Sequence, residues 1–390
     1  MQSRYDIIVV GGGVIGSSVA CQLLQDGFTG SVAVIEKDTS YEFASTPRSA
    51  GGIRQLFSTE VNIRMSHYSL QAFKTFAQDL AVDGETAPID FKEQGYLFLG
   101  NESTMGILMK HAELQRRLGV QVNLLSAIDL KNIIPELNVD DLTGGIFSPD
   151  DGYLDPYSVL QGYVRKAKRL GAEYIRQEAK SILVNEGTGG VAGVKLTDDT
   201  VIFAGRVVLT AGAWSGSLAA TAGVDLPVVP LRRQLFALDL AKPLQNPLPL
   251  TIDPSGVYFR HEGTMVLAGL ANNVPYGFDF HWEKSFFEQE IWPVMADRCP
   301  NFEQMKLIRG WAGLYDHNRI DHNSIIGEMP DCKGLYVATG FSGHGLMHAP
   351  AAGKALSELI RLGRFETIDA SPLSPERFAT HRYVTEEAVI

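Results

Sequence analysis

Residues Tyr5 to Glu36 constrain the fold more than any other stretch. Tyr5-Asp6 leads into Ile7-Ile8-Val9-Val10, a short apolar strand of the kind buried on both faces. Gly11-Gly12-Gly13-Val14-Ile15-Gly16 follows without a spacer and opens an apolar-periodic helix reaching Gly27. A second β-branched run, Val32 to Ile35, ends on Glu36. In such a turn Gly11 permits the tight exit from the strand. Gly13, without a Cβ, lets a pyrophosphate approach the backbone, and Gly16 lets helix and strand pack closely. The first amides of the helix, with the positive end of its dipole, face the phosphates. Glu36 stands 20 residues after Gly16, where an acid binds ribose hydroxyls. Strand, turn, helix, strand and acid in this order predict a dinucleotide site. A glycine turn that binds nothing would not need the acid.

A chain of 390 residues with 45% hydrophobic content predicts two or three domains with large cores. The net charge of −11, with no compensating basic run, argues against nucleic acid and anionic membrane surfaces as partners. Cys21, Cys299 and Cys332 are far apart and form no C-x-x-C pair, which disfavours a dithiol flavin reductase and a cysteine zinc site. No metal site is expected. No apolar run approaches the ~18 residues of a membrane span, and no signal peptide is recognisable. The expectation is a soluble, cytoplasmic protein, at most peripheral to a membrane-bound electron acceptor.

After Glu36 the chain becomes a polar loop, Ala44-Ser45-Thr46-Pro47-Arg48-Ser49-Ala50-Gly51-Gly52-Ile53-Arg54. Its small residues suit a backbone lying along an extended ligand. Arg48 reads equally well as a solvated surface charge, whereas Arg54, between Gly-Gly-Ile and Gln-Leu-Phe, reads as ligand-facing. Periodicity predicts helices over 60–80, 108–118, 155–170, 284–295 and 349–362, the fourth kinked at Pro293. His67, beside the first of these, receives no role. Strands are predicted at 95–99, 173–177, 201–203, 206–210, 234–239, 256–261, 265–269 and 334–339, with a hairpin over 181–194 and a boundary at Leu226–Pro230. Ala211-Gly212-Ala213-Trp214-Ser215 follows one strand and marks a second close backbone approach, with Trp214 read as a core anchor. Gly340-Phe341-Ser342-Gly343-His344-Gly345-Leu346-Met347-His348 follows another. It lacks the Gly-x-Gly-x-x-Gly order, and its expected use is to aim a helix N-terminus at a redox ring.

Together with Trp311-Ala312-Gly313-Leu314, these segments resemble the D-amino-acid-oxidase-type flavoprotein family, which holds sarcosine oxidase, glycine oxidase, dimethylglycine dehydrogenase and D-amino acid dehydrogenases. A further likeness, to a mitochondrial branch linked to respiratory complex I assembly, rests on Gly51–Gln55, Tyr315–Asn318 and Gly363–Asp369. The resemblance implies an α/β plus α+β architecture. A discontinuous Rossmann-like (GR2-type) FAD-binding domain would comprise 1–85, 150–225 and 326–390. A mixed or antiparallel-sheet substrate domain would comprise 86–149 and 226–325. It implies that Gly11, Gly13, Val14, Ile15 and Gly16 meet the pyrophosphate and that Glu36 and Lys37 flank the ribose. Ser45, Thr46, Arg48, Ser49, Ala50, Gly51 and Gly52 would run toward the ring. Ala179 would flank the adenine. Ala211, Gly212, Trp214, Gly313 and the run Gly343, His344, Gly345, Leu346 and Met347 would complete the site. Arg54 matches the arginine that grips substrate carboxylate in sarcosine oxidase, Tyr258 matches a substrate-pocket tyrosine, and Arg260 is a candidate second cation.

Three positions depart from the family. Ala312 stands where sarcosine oxidase links a cysteine to FAD, so non-covalent FAD is implied. Tyr315 stands where glycine oxidase and D-amino acid dehydrogenase carry their carboxylate arginine. Met347 stands where sarcosine oxidase has a lysine that aids reaction with oxygen. The implied activity is oxidation of the C–N bond of an amino acid or N-alkyl amino acid by hydride transfer to flavin N5, giving an imine. The electron acceptor, oxygen or a respiratory carrier, is left open, and no general base is recognisable. A flavoprotein assembly partner with little turnover is the alternative. An NAD(P)H-dependent flavin monooxygenase is disfavoured by the lack of a second dinucleotide motif.

Overall fold

The computed structural model describes residues 2–272 and 274–388. Ile7–Val10 lies inside a six-stranded sheet ordered Ile325–Glu328, Leu335–Thr339, Val207–Leu209, Ile7–Val10, Val32–Glu36, Glu173–Arg176. Its strands are parallel except at the Ile325–Glu328 edge. All four residues of Ile7–Val10 are buried, as a strand covered on both faces requires. The first helix, Val14–Gln25, packs on the helix Gly345–Leu362, where Ser18 Oγ donates to Ala349 O at 2.8 Å. A Cβ on Gly353 would lie 2.3 Å from Ser18 Oγ, so glycine sets the separation of the two helices.

The second sheet has eight strands. Its order is Lys306–Asn318, Val228–Asp239, Met265–Leu270, Val257–Glu262, Leu250–Ile252, Tyr96–Gly100, Gly144–Ser148, Asn123–Ser126. One pair, Leu250–Ile252 with Tyr96–Gly100, is parallel and the others are antiparallel. One face packs on an apolar core around Phe236, Phe259, Phe287 and Phe302. The other face turns toward the first sheet's helices. A three-stranded antiparallel sheet of Ala179–Val184, Val191–Leu196 and Val201–Phe203 contains the expected hairpin.

Several predicted boundaries move. The segment read as a boundary at Leu226–Pro230 is the start of a twelve-residue strand, Val228–Asp239. Pro230 is tolerated there because Met265–Leu270 pairs only with Leu235 to Leu238, so no ladder hydrogen bond needs its missing N–H; on that side its O accepts from Gly277 N at 3.0 Å. The helix near Pro293 is not one kinked rod. Lys284–Phe286 passes into a π-helical turn, Phe287–Ile291, before Trp292–Arg298, which accommodates the missing proline N–H. The last long helix starts at Gly345, not Ala349, so Leu346 and Met347 lie in its first turn.

Candidate active site

A cavity of about 1240 Å³ opens at the carboxyl ends of Ile7–Val10, Val32–Glu36 and Val207–Leu209 and extends over the inner face of the second sheet. That exceeds the ~300–1,000 Å³ of an ordinary small-molecule pocket and suits an elongated ligand plus a small one. Gly11 adopts φ +98°, and a Cβ there would sit 2.5 Å from Thr210 O. A Cβ on Gly16 would sit 1.9 Å from Gly11 O, so Gly16 serves helix–strand packing and does not line the cavity. A Cβ on Gly13 would meet nothing within 4 Å; it would project into open space where the first, acceptor-free amides of the helix begin. Glu36 lines the cavity while bracing this turn. Its carboxylate accepts from Gly12 N at 2.8 Å and Asp38 N at 2.9 Å, and burial, opposed by these amides, pushes its pKa up.

The loop after Glu36 is stitched to the long strand Lys306–Asn318. Ser45 Oγ donates to Leu314 O at 2.5 Å, Arg48 Nη1 to Ala312 O at 2.7 Å, and Trp311 Nε1 to Arg48 O at 3.0 Å. Arg48 also lies over Phe43 and Phe280. It is therefore a strut of the cavity wall and not a solvated surface charge. Gly51, at φ +69°, passes so close to Leu154 O that a Cβ would stand 2.3 Å away. Arg260, expected to face substrate, does not line the cavity. Its Nε donates to Ala50 O at 2.5 Å and its Nη1 pairs with Glu262, so it holds the loop from behind. Trp214 is corrected in the other direction. It lines the cavity, half-buried, with Lys37 Nζ 3.9 Å over its ring and Phe278 stacked on it.

At the far end, strand alternation brings Arg233, Leu235, Tyr258, Gly313, Tyr315 and Tyr96 to one sheet face. Opposite stand Gly343, His344, Gly345, Leu346 and Met347. Gly343, at φ +105°, lies against Tyr315, where a Cβ would come within 2.4 Å of the ring. Arg54 is 3% exposed. Its Nη1 donates to Leu56 O at 2.5 Å, its Nη2 donates to Ala388 O, and its guanidinium stacks 4.1 Å over Phe57. Burial, opposed by Tyr96, Glu386 and Asp151, lowers its pKa. Among the described residues no carboxylate forms an ion pair with it. Burial, assisted by Arg54, pushes the His344 imidazole down to about 3, so this ring is neutral. Burial raises Asp316 to about 6 and Asp151 to about 7. Asp316 accepts from Phe341 N at 3.2 Å and fixes the entry to the Gly340–Gly345 turn.

Tyr96, Arg233 and Phe280 also line the cavity and carry no local motif. Period-two alternation would expose Arg233-x-Leu235 and Gly313-x-Tyr315 as facing pairs, once their strands are known.

A family model described as FAD dependent oxidoreductase matches residues 6–359. The chain is an FAD-dependent oxidoreductase of the D-amino-acid-oxidase family. The oxidoreductase is 34% identical to the FAD-dependent oxidoreductase domain-containing protein 1 of Xenopus laevis, over 99% of this chain and 85% of that protein. It is 25% identical to mitochondrial sarcosine dehydrogenase of Homo sapiens, over 94% of this chain but 40% of that longer protein. The crystal structure of L-proline dehydrogenase from P. horikoshii superposes with a TM-score of 0.88 at 28% identity, covering 98% of this chain and 100% of that one.

The residues present fit FAD. Open space at Gly13 before a helix N-terminus suits the pyrophosphate, and the cavity continues unbroken from Ala179 past Gly51 and Gly52 to Met347. Cys21, Cys299 and Cys332 are buried outside the cavity, and Ala312 is buried in its strand, so no cysteine is placed to tether the cofactor. Among the described residues no helix is long and apolar enough to cross a membrane. The sarcosine and dimethylglycine dehydrogenases among the relatives are named as mitochondrial, which gives the cytoplasmic expectation no support.

Proposed function

We propose that this oxidoreductase oxidises the C–N bond of an amino acid or N-alkyl amino acid of sarcosine, proline or D-amino-acid type to an imine, which water then hydrolyses. One observation carries the reading: Arg54, a buried guanidinium with no ion-pair partner among the described residues, faces the compartment below Gly343–Met347. A buried cation of this kind is matched by a carboxylate. Bound FAD supplies the two-electron acceptor for the α-hydrogen. The chain does the rest. Arg54 orients the carboxylate, and Tyr96, Tyr258 and Tyr315, all kept neutral by burial, offer phenol groups around it. Leu235, Leu250 and Met347 exclude water. The cationic field of Arg54 favours the neutral, reactive form of the amine, so a dedicated base is dispensable. Met347 in place of a cation favours an acceptor other than oxygen, such as a respiratory carrier.

Anaerobic mixing of the purified holoenzyme with sarcosine, proline, dimethylglycine and a panel of D-amino acids tests this. At least one should bleach the visible flavin band; a silent panel refutes C–N oxidation. The competing reading, an assembly partner with little turnover, draws on two exposed aromatics, Phe278, stacked on Trp214, and Tyr276, stacked on His317. A stable stoichiometric protein partner together with a silent panel would favour it.

A further inference from the structure

We infer that Glu386 is a positioning residue for the substrate, acting through Ala388 to hold Arg54 in place. The inference rests on the role given above to Arg54. That guanidinium is pinned by two backbone carbonyls. Nη1 donates to Leu56 O at 2.5 Å, and Nη2 donates to Ala388 O, 334 residues away in the chain. A carbonyl holds a guanidinium without cancelling its charge, so the cation stays available to a carboxylate. The Leu56 pin comes with the loop that carries Arg54. The Ala388 pin exists only while residues 384–388 lie against that loop.

Glu386 secures that arrangement. Its side chain is buried at the start of the helix Glu60–Asp79. Oε1 accepts from Ser58 N at 2.8 Å, Ser58 Oγ at 2.6 Å and Ala388 N at 3.0 Å. Oε2 accepts from Thr59 Oγ1 at 2.8 Å and Asn62 Nδ2 at 2.9 Å. Burial is outweighed by these donors, which hold the carboxyl below its ordinary pKa and so ionised. On its other side the segment is anchored at Asp321. Val384 N donates to Asp321 Oδ2 and Glu386 N to Asp321 O, both at 3.2 Å. The helix has no side-chain cap from Thr59, and capping it accounts for the bonds to Ser58, Thr59 and Asn62. It does not account for Ala388, whose N–H turns back to Glu386 while its carbonyl meets Arg54. None of residues 384–388 lines the cavity, whereas Arg54 does, so their route to the substrate runs through Arg54. Without the Ala388 pin, Arg54 regains rotamers that ligand binding must freeze again.

The test titrates two inert carboxylates, (methylthio)acetate and pyrrole-2-carboxylate, into the holoenzyme and reads binding from the flavin band, which needs no turnover. E386A should weaken both by about tenfold, the cost of immobilising one rotamer-rich side chain, with FAD affinity unchanged. E386Q should restore binding to within about threefold of the wild type. Its Oε1 keeps Ser58 and Ala388, and its amide can donate to Asn62 Oδ1, a buried oxygen without a partner, once the Asn62 amide flips. R54M should weaken both ligands roughly 30-fold or more, and E386A added to R54M should cost nothing further. An E386A loss that persists in the R54M background overturns the inference, because Glu386 would then not act through Arg54. So does E386A binding like the wild type, or E386Q binding as weakly as E386A. If E386A does not hold FAD, deletion from Ala388 onward takes its place in the cycle, since it removes the carbonyl and leaves Glu386. If R54M binds both ligands like the wild type, or neither ligand binds the wild type, the carboxylate role of Arg54 itself falls.

Discussion

Gly13 and Gly16 belong to one turn, but the geometry separates their roles, and substituting each with alanine should separate them in the test tube. At Gly13 the backbone has φ −63° and ψ −172°, which any L-residue adopts, and an added Cβ meets nothing within 4 Å. The apoprotein should therefore gain about 0.4–1 kcal/mol through the reduced entropy of the unfolded chain. The methyl group would occupy the approach of the pyrophosphate. Losing two charge-assisted amide–phosphate bonds, each worth at least about 1.5 kcal/mol, weakens FAD binding by roughly a hundredfold. At a free FAD concentration of 100 dissociation constants, wild-type protein gains about 2.7 kcal/mol from ligand, whereas G13A would gain about 0.4 kcal/mol. At Gly16 the added Cβ lies 1.9 Å from Gly11 O and 2.6 Å from Thr210 Oγ1, so G16A should lose about 1–3 kcal/mol as apoprotein through overpacking. Urea denaturation with and without FAD, plus FAD titration by fluorescence quenching, reads both quantities. If G13A binds FAD as tightly as the wild type, the pyrophosphate does not cross Gly13 and the site has been placed wrongly.

Three further outcomes are expected. R54M keeps packing against Phe57 but removes the cation, so apparent affinity for any carboxylated substrate should fall roughly 30-fold or more, read as KM in anaerobic flavin reduction; an unchanged KM refutes the role of Arg54. M347K places a charge in the first turn of the Gly345–Leu362 helix, and reoxidation of the reduced enzyme by oxygen should accelerate by about tenfold or more; equal rates at equal FAD content would show that this position does not govern oxygen use. The pH dependence of apoprotein stability has two opposing parts. His344, held down to about 3, and His348, held well below its ordinary value, lend stability that is full above pH 6.5 and lost as pH falls toward their folded values. Asp151, raised to about 7, and Asp316, raised to about 6, lend stability that is full below pH 3.8 and lost as pH rises through those values. Between pH 4 and 6 the slopes of these four groups nearly cancel, while His317, held down to about 4 by burial, adds to the histidine side. D151N removes one of them, so its stability should rise with pH there by about 1.4 kcal/mol per unit relative to the wild type; parallel profiles would refute this balance.

What could be read from the sequence follows locality. The strand–glycine–helix unit, the Ser45–Arg54 loop and the Gly340–Met347 turn are contiguous stretches, and all three meet at the cavity. Residues whose position depends on register are harder to see. Arg233 lies in a strand whose proline suggested a break, and Tyr96 is delivered by a parallel pairing with Leu250. Arg260 and Trp214 show the same limit from the other side. Arg260 shares a strand face with Tyr258, yet its guanidinium is diverted to Ala50 O and Glu262. Trp214 looks like a core residue until Lys37 and Phe278 are seen to frame it. The glycine-rich start of the last long helix looks like loop by propensity, and packing against the first helix overrides that preference.

The interior position of the Ile7–Val10 strand bears on how the protein is made. One edge finds Val32–Glu36 almost at once, but the other waits for Val207–Leu209, roughly 200 residues and, at ribosomal speeds, about 10–40 s later. During that interval an apolar ribbon with unsatisfied amides and carbonyls is available to any neighbouring chain. Conditions that slow elongation between these segments lengthen the exposure, so yield of soluble flavoprotein should depend on translation rate more than on cofactor supply.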